Sequence, residues 1–166
     1  MSPVNPFLTT PTAPQPIALN TFSNAEWAID LPTTWRVIPT DAGNSVTFES
    51  DAERAGLFIS LDFYEIPADK AQATADRLVN ARLARHGADA PGRVDMFDGA
   101  SRPHWQGAGH EAHYAVQIGG QDIVQYAVTV LSRRVLNLTL VCHQRDRESA
   151  AALFAAIRTH FRPALA

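Results

Sequence analysis

The order of segments along the chain constrains its fold more than any motif does. Four short strand-like segments are followed by a helix, by further strands that end in a long hairpin, and by a last helix. Several central strands are apolar on both faces, so each face of the sheet needs a cover. The order therefore predicts a single α+β domain, in which a mostly antiparallel sheet is flanked by two main helices, one on each face.

Alternation of apolar and polar residues marks the strands. The clearest example is segment 56–66, where every second residue is apolar. A period of two places successive side chains on opposite faces of a sheet. Gly119-Gly120 predicts a two-residue hairpin turn because glycine tolerates positive φ, and Asp98-Gly99 predicts a turn that ends the strand before it. The predicted strands are 26–31, 34–38, 45–49, 56–66, 94–97, 109–118, 122–131 and 135–143.

Two segments carry the helical period instead. The first runs from a candidate N-cap at Asp69 to a stop at Gly87, and the second runs from a cap at Asp146 to Pro163. Each has one apolar stripe that needs a surface to cover. The stripe residues are Ala71, Ala75, Leu78, Val79 and Leu83 in the first helix and Ala150, Leu153, Phe154, Ile157 and Phe161 in the second.

Length and composition describe one globular domain. Folding a chain of 166 residues buries roughly 70% of its unfolded surface, which makes a sufficient core without disulfides. The net charge of -3 at pH 7 argues against a general nucleic-acid partner, because phosphate contacts need a surplus of Lys and Arg. Residues 1–17 contain five prolines and are interpreted as an extended tail, which leaves 18–166 as the domain.

Three features favour a cytoplasmic location. Cys142 is the single cysteine, so no intrachain disulfide can form, which fits a reducing compartment. The N-terminus has no basic start followed by an apolar stretch, so we predict no secretory signal. No apolar run approaches the ~20 residues that a transmembrane helix needs, so we expect no membrane span.

No group of residues has the spacing of a catalytic or metal site. His110 and His113 are three residues apart in a predicted strand, whereas zinc-protease chemistry needs two histidines at i and i+4 on one helical face. Cys142 shares a face with apolar neighbours, which predicts a buried and unreactive thiol. We therefore expect no catalytic residues, no metal and no cofactor, and we interpret the protein as a non-enzyme.

Three residues form the candidate binding site: Phe58, Tyr64 and Gln125. Phe58 and Tyr64 lie on the less apolar side of segment 56–66, and Gln125 interrupts a nearly continuous apolar strand. A polar amide in such a surface is either hydrogen-bonded inside the core or placed to meet the backbone of a partner. Both interpretations stay open at this point: a face that a helix covers, or a binding groove.

Several of these segments resemble the Mog1/PsbP/DcrB-like fold superfamily. The pattern W-x-I-x-L-P-x-x-W at 27–35 is similar to the start of these proteins, and so is the apolar strand and Glu-Ile-Pro at 57–67 that lead into a helix. The closing hairpin at 123–142 and the final amphipathic helix extend the likeness, which covers about residues 20–162. The resemblance implies a sandwich of α/β/α layers.

Members of the superfamily resemble one another in shape more than in role. It includes a Ran-binding import factor, a photosystem II extrinsic subunit, bacterial lipoproteins, and chaperones of type VI secretion effectors (the Eag/DcrB-like branch). With no signal sequence and no lipidation cysteine, the chain is more similar to the chaperone branch, whose members cradle apolar helices on a sheet surface. The resemblance implies a chaperone or adaptor for an apolar segment of a partner protein, with Phe58, Tyr64 and Gln125 on its groove.

Other functions stay open. A small-ligand carrier or an enzyme would need a pocket between sheet and helix with convergent polar groups, for which His104, His110 and His113 are the candidates. A structural subunit of a larger assembly would dock through residues 1–17. The edge strands of the sheet could also pair across a homodimer.

Overall fold

The computed structural model describes residue 13 and residues 16–40, 43–104 and 109–164. Within them the chain forms two antiparallel sheets, two α-helices and one short 3₁₀ helix. The elements are β1 (Leu19–Ser23), β2 (Trp27–Pro32), β3 (Arg36–Ile38), β4 (Ser45–Ser50), β5 (Ala55–Phe63), the 3₁₀ helix (Ala68–Lys70), α1 (Ala71–Asp89), β6 (Val94–Pro103), β7 (His110–Ile118), β8 (Asp122–Val130), β9 (Arg134–His143), α2 (Arg147–Thr159) and β10 (Phe161–Pro163).

The large sheet has the strand order β3-β4-β5-β9-β8-β7-β6, and all of its neighbouring strands are antiparallel. The first half of the chain meets the second half where β5 pairs with β9. The small sheet has the order β1-β2-β10, so the last strand of the chain returns to pair with one of the first.

Two apolar cores lie on opposite faces of the large sheet. The face that carries Leu57 is covered by α2 and the small sheet, which contribute Phe154 and Trp27, and we call it the α2 face. The opposite face carries Tyr114 and Tyr126 beneath α1, and we call it the α1 face. Strands β8 and β9 supply both cores, which is why they are apolar on both sides. The predicted α+β sandwich with one helix on each face is confirmed.

Two local signals in the sequence are confirmed. Asp146 caps α2, because its Oδ1 accepts a hydrogen bond from the backbone N–H of Ser149 at 2.8 Å. Gly119 and Gly120 form the turn between β7 and β8 with φ values of 62° and 71°. Both signals act within a few residues of the chain, so tertiary contacts do not override them.

Several predicted boundaries are wrong; the strand predicted at 56–66, for example, ends at Phe63. Asp69 does not cap α1, because the chain first makes the 3₁₀ helix and α1 begins after it without a side-chain cap. Gly87 does not stop α1, whose helical hydrogen bonds continue beyond it. Asp98-Gly99 is no turn: β6 continues through it after a bulge that begins at Met96.

Neither α-helix in the described ranges combines the length and the apolar character needed to cross a bilayer.

The small sheet was not predicted as a unit. The stripe of the last helix was expected to include Phe161, but α2 ends at Thr159 and Phe161 begins β10 opposite Ile29. Its ring packs against Trp27 with the ring centroids 6.0 Å apart. Of the expected tail, residues 1–12, 14 and 15 lie outside the described residues.

An ion pair ties β10 to β2. Arg162 Nη1 donates to Asp30 Oδ2 at 2.7 Å, and Thr21 Oγ1 donates to Asp30 Oδ1 at 2.6 Å. These hydrogen bonds, the one from Arg162 first, lower the pKa of Asp30 from 3.8 to about 2. Because the pKa is depressed in the folded protein, the ionised carboxylate stabilises the fold above pH 3.8, and this contribution is lost as the pH falls through about 2.

We expect NMR titration of the Asp30 carboxyl carbon to give a midpoint near 2 in the wild type. In Arg162→Gln the midpoint should move up toward 3.8, but only part of the way, because Thr21 still donates. Equal midpoints in the two proteins would show that Arg162 does not control this carboxyl group.

Candidate functional site

Part of the α1 face has no cover from the residues that the structure describes. Helix α1 packs against β6, β7 and β8. On the same face, the apolar core beneath α1 includes no described residue of β3, β4 or β5 and only Val135 of β9, and Phe58 and Asp62 are exposed. We call this area the open face. By strand register its residues are Arg36, Ile38, Ser45, Thr47, Glu49, Gly56, Phe58, Ser60, Asp62, Asn137, Thr139 and Val141.

Phe58 stands in the middle of the open face. In the sheet it lies between Thr47 of β4 and Thr139 of β9. Phe58 is 41% exposed, whereas the adjacent Leu57 and Ile59 are buried on the α2 face. A central strand therefore turns one aromatic ring to solvent, within a surface of hydroxyl side chains.

A polar network forms the border between the open face and α1. The guanidinium of Arg82 lies over the ring of Tyr126, 4.1 Å from its centroid. Tyr126 Oη donates to Asn137 Oδ1 at 2.5 Å, and Asn137 Nδ2 donates to Asp62 at 3.3 Å. Burial raises the pKa of Tyr126 to about 12, so the phenol keeps its proton at neutral pH. The network fixes the side chains along this border.

Tyr64 follows β5 at the end of the open face nearest the start of α1. It is 59% exposed and lines an open cleft of about 380 Å³. The lining of the cleft mixes the buried apolar residues Ile66 and Val135 with charged ones of both signs. Its other lining residues are Glu65, Ile66, Pro67, Lys70, Thr74, Arg77, Leu78 and Val135.

Gln125 lies on the α2 face. It is opposite Leu140, which is opposite the core residue Leu57. Its side chain is buried, and its Nε2 donates to the backbone oxygen of Ala150 in α2 at 2.9 Å. This corrects the expectation that Phe58 and Gln125 share one face: the amide satisfies a carbonyl inside the core instead.

The three histidines considered for a pocket are divided between the two faces. His104 and His113 line a space between α2 and the sheet, together with Glu111 and Arg158. His110 lies on the α1 face and is buried. Burial lowers the pKa of both His104 and His113, which favours the neutral imidazoles.

His110 is not placed to activate a nucleophile. Its Nε2 lies 2.6 Å from Ser101 Oγ, and the same Oγ donates to Asp76 Oδ1 at 2.8 Å. A hydroxyl has one proton, so His110 donates to Ser101 rather than accepting from it. A general base would need the opposite arrangement.

Reactive groups are scarce in the part of the chain that the structure describes. There, no three His, Cys, Asp or Glu side chains come together as metal ligands. Cys142 is buried in the core of the α2 face, and burial raises the pKa of its thiol to about 11. The thiol therefore stays protonated at neutral pH and is a weak nucleophile.

Comparison with solved structures identifies the fold. The chain is similar to cyanobacterial PsbP (CyanoP) from Synechocystis sp. PCC 6803, with a TM-score of 0.66 and 16% identity over 95% of this chain and 99% of that chain. A structure from Bacteroides thetaiotaomicron VPI-5482 matches at a TM-score of 0.43 and 9% identity, over 84% of this chain and 45% of that chain. Only the likeness to PsbP is strong enough to assign a fold. The chain thus has the PsbP/Mog1-like fold that its sequence resembles.

No family model matches the sequence, and no curated protein matches it either. At 16% identity the likeness to PsbP establishes the fold alone, because one fold hosts many unrelated functions. The function has to be argued from the surface of this chain.

Proposed function

We propose that the protein is a non-catalytic binding protein that holds an apolar helix of a partner protein on the open face. The observation that carries the proposal is an uncovered half of a sheet face with the exposed ring of Phe58 at its centre. In this proposal the protein is a cytoplasmic chaperone or adaptor, similar in role to the chaperones of type VI secretion effectors.

The dimensions of the open face suit a helix. Neighbouring strands are about 4.8 Å apart, so four strands span roughly 15 Å. A helix with its side chains is about 10–12 Å across, and packed helices lie about 8–10 Å apart. One helix laid beside α1 would therefore complete the layer that α1 begins. An added strand would instead pair with the edge strand β3, which has only three residues and so offers few backbone hydrogen bonds.

The composition of the open face suits a partner that binds and leaves. A permanent interface would be mostly apolar, whereas here one aromatic ring is surrounded by Thr and Ser side chains. Aromatic residues at the centre of an interface carry most of its binding energy, and the polar residues around them exclude water. Tyr64, at the end of the face, offers a second aromatic contact.

The test is the substitution Phe58→Asp, with Phe63→Asp as the matched control. Both residues are exposed phenylalanines of β5. Phe63 is opposite Arg134, and because side chains alternate along the strand it lies on the side of the α2 face. A protein captured with the wild type from extracts of the source cell would be mapped to its apolar helical segment, and that segment made recombinantly. We expect Phe58→Asp to weaken binding of the segment about 30-fold or more, as loss of a hot spot does.

The control should bind like the wild type, and circular dichroism should show both variants folded. Binding that survives in folded Phe58→Asp would exclude the open face. Equal losses in both variants would mean that added negative charge, and not the ring of Phe58, determines binding.

A further inference from the structure

A second site is outlined on the α2 face, between α2 and strands β6 and β7. An inner space of about 30 Å³ and an outer, open space of about 500 Å³ share three lining residues, Glu111, His113 and Arg158. His104 and Thr129 also line the inner space. The outer space is completed by Ala100, Arg102, Ala155 and Thr159.

Arg158 has no carboxylate of its own here. Its Nη1 donates to Nδ1 of His113 at 3.1 Å, and its guanidinium lies 5.2 Å from the centroid of the Phe154 ring. No carboxylate of the described residues forms an ion pair with it, since Glu111 pairs with Arg102 and Asp98 faces His113 at 3.5 Å. Partly buried charges are normally paired, but Glu111 and Asp98 act on this cation only without direct contact, and its buried Nε has no hydrogen-bond partner among the described residues.

His113 does not balance this charge. An arginine only donates, so Nδ1 of His113 accepts and carries no proton. Burial and the neighbouring Arg158 both lower the pKa of His113, in agreement with a neutral ring. Near the two spaces, the guanidiniums of Arg102 and Arg158 face two carboxylates. Glu111 pairs with Arg102 and Asp98 contacts His113, so neither forms an ion pair with Arg158 in the described residues.

We propose that this space is a binding site for a small organic monocarboxylate, whose carboxylate pairs with the guanidinium of Arg158. Guanidinium and carboxylate form strong, charge-assisted hydrogen bonds. A dianion such as phosphate is disfavoured, because Glu111 lines both spaces and would repel the second charge. A water needs about 10–15 Å³ of such volume, so the inner space holds about the two oxygens of one carboxylate, and the outer space takes the rest of the molecule.

The test is an NMR titration of the full-length protein with sodium acetate, butyrate and benzoate, against sodium chloride at equal ionic strength. We expect saturable shifts of backbone signals at Ala100 and Thr159, for at least one of the three acids. Arg158→Gln should weaken this binding at least about tenfold.

Arg147→Gln is the matched control. Arg147 lies on the same helix and also over an aromatic ring, that of Phe97 at 5.1 Å, but it has its own carboxylate partner, Asp95 at 3.8 Å. Its substitution should leave the affinity within about twofold. Ala155→Phe, at an exposed position of α2, should block the outer space while every charge stays in place.

The proposal is overturned if none of the three acids gives a saturable shift at these residues. It is also overturned if folded Arg158→Gln binds as well as Arg147→Gln, or if inorganic phosphate binds the wild type more tightly than the carboxylates do. Because the site lies on the opposite side of the sheet from the open face, these results leave the proposed function untouched.

Discussion

Replacing Gly109 with alanine should strongly destabilise the fold. Gly109 has φ +78°, and a Cβ built on it would lie 1.8 Å from the backbone oxygen of Val130 in the paired strand β8. The obstacle is backbone, so no rotamer change relieves it, and the entry to β7 would have to separate from β8. We expect a loss of at least about 4 kcal/mol in the free energy of unfolding, which belongs to the exceptional tail of single substitutions. Denaturant unfolding of the purified variant, or its absence from the soluble fraction, measures the effect.

Gly120→Ala is the control for this prediction. Gly120 has a similar φ of +71°, but no heavy atom lies within 4 Å of its built Cβ. The free energy of unfolding of Gly120→Ala should therefore fall by only about 1–2 kcal/mol, which is the cost of a left-handed backbone conformation in alanine. If the two variants were equally stable, backbone conformation alone would account for both, and the close approach of β7 and β8 at Gly109 would be incorrect.

Replacing Phe48 with alanine should lower the free energy of unfolding by about 3–5 kcal/mol. Phe48 is completely buried on the α2 face of β4, and its ring meets that of Phe22 in β1 edge to face with centroids 4.9 Å apart. The substitution leaves a cavity between the two sheets, and neither sheet can close it without moving. Urea unfolding followed by circular dichroism gives the difference directly.

The comparison for Phe48 is Phe58→Ala on the next strand. Phe58 is 41% exposed on the open face, and its removal should cost at most about 1 kcal/mol. A loss as large as that of Phe48→Ala would mean that Phe58 is a core residue, and the open face would then be covered in solution.

The sequence predicted those features that depend on neighbours along the chain. The cap at Asp146 and the turn at Gly119-Gly120 are formed by groups within a few residues of one another. Alternation within β5 also placed Phe58 on the face opposite to Leu57 and Ile59, but it left open whether a helix covers that face. Local chemistry determines these features, whichever strands are neighbours.

The features that depend on distant pairing were not predictable. Phe58 and Gln125 are in strands separated by β9, and a change of one residue in the register of either pair would have placed them on the same face. The open face itself exists because α1 crosses β6 to β8, which follows from the strand order and not from any segment. For this reason the sequence did not identify Arg82 and Thr139 as residues of the open face and its border. The polar residues Asn137 and Thr139, which alternate with apolar ones in β9, were a signal of a second surface.

Site-specific photocrosslinking tests the central claim most directly. Benzoylphenylalanine would replace Thr139 on the open face in one variant and Phe63, exposed near the α2 face, in another. On irradiation in the source cell, our account predicts an adduct with one partner polypeptide from position 139, none from position 63, and loss of the first adduct when Phe58→Asp is added. An adduct from position 63 alone, or one from position 139 that persists with Phe58→Asp, would contradict the assignment of the open face as the partner-binding surface.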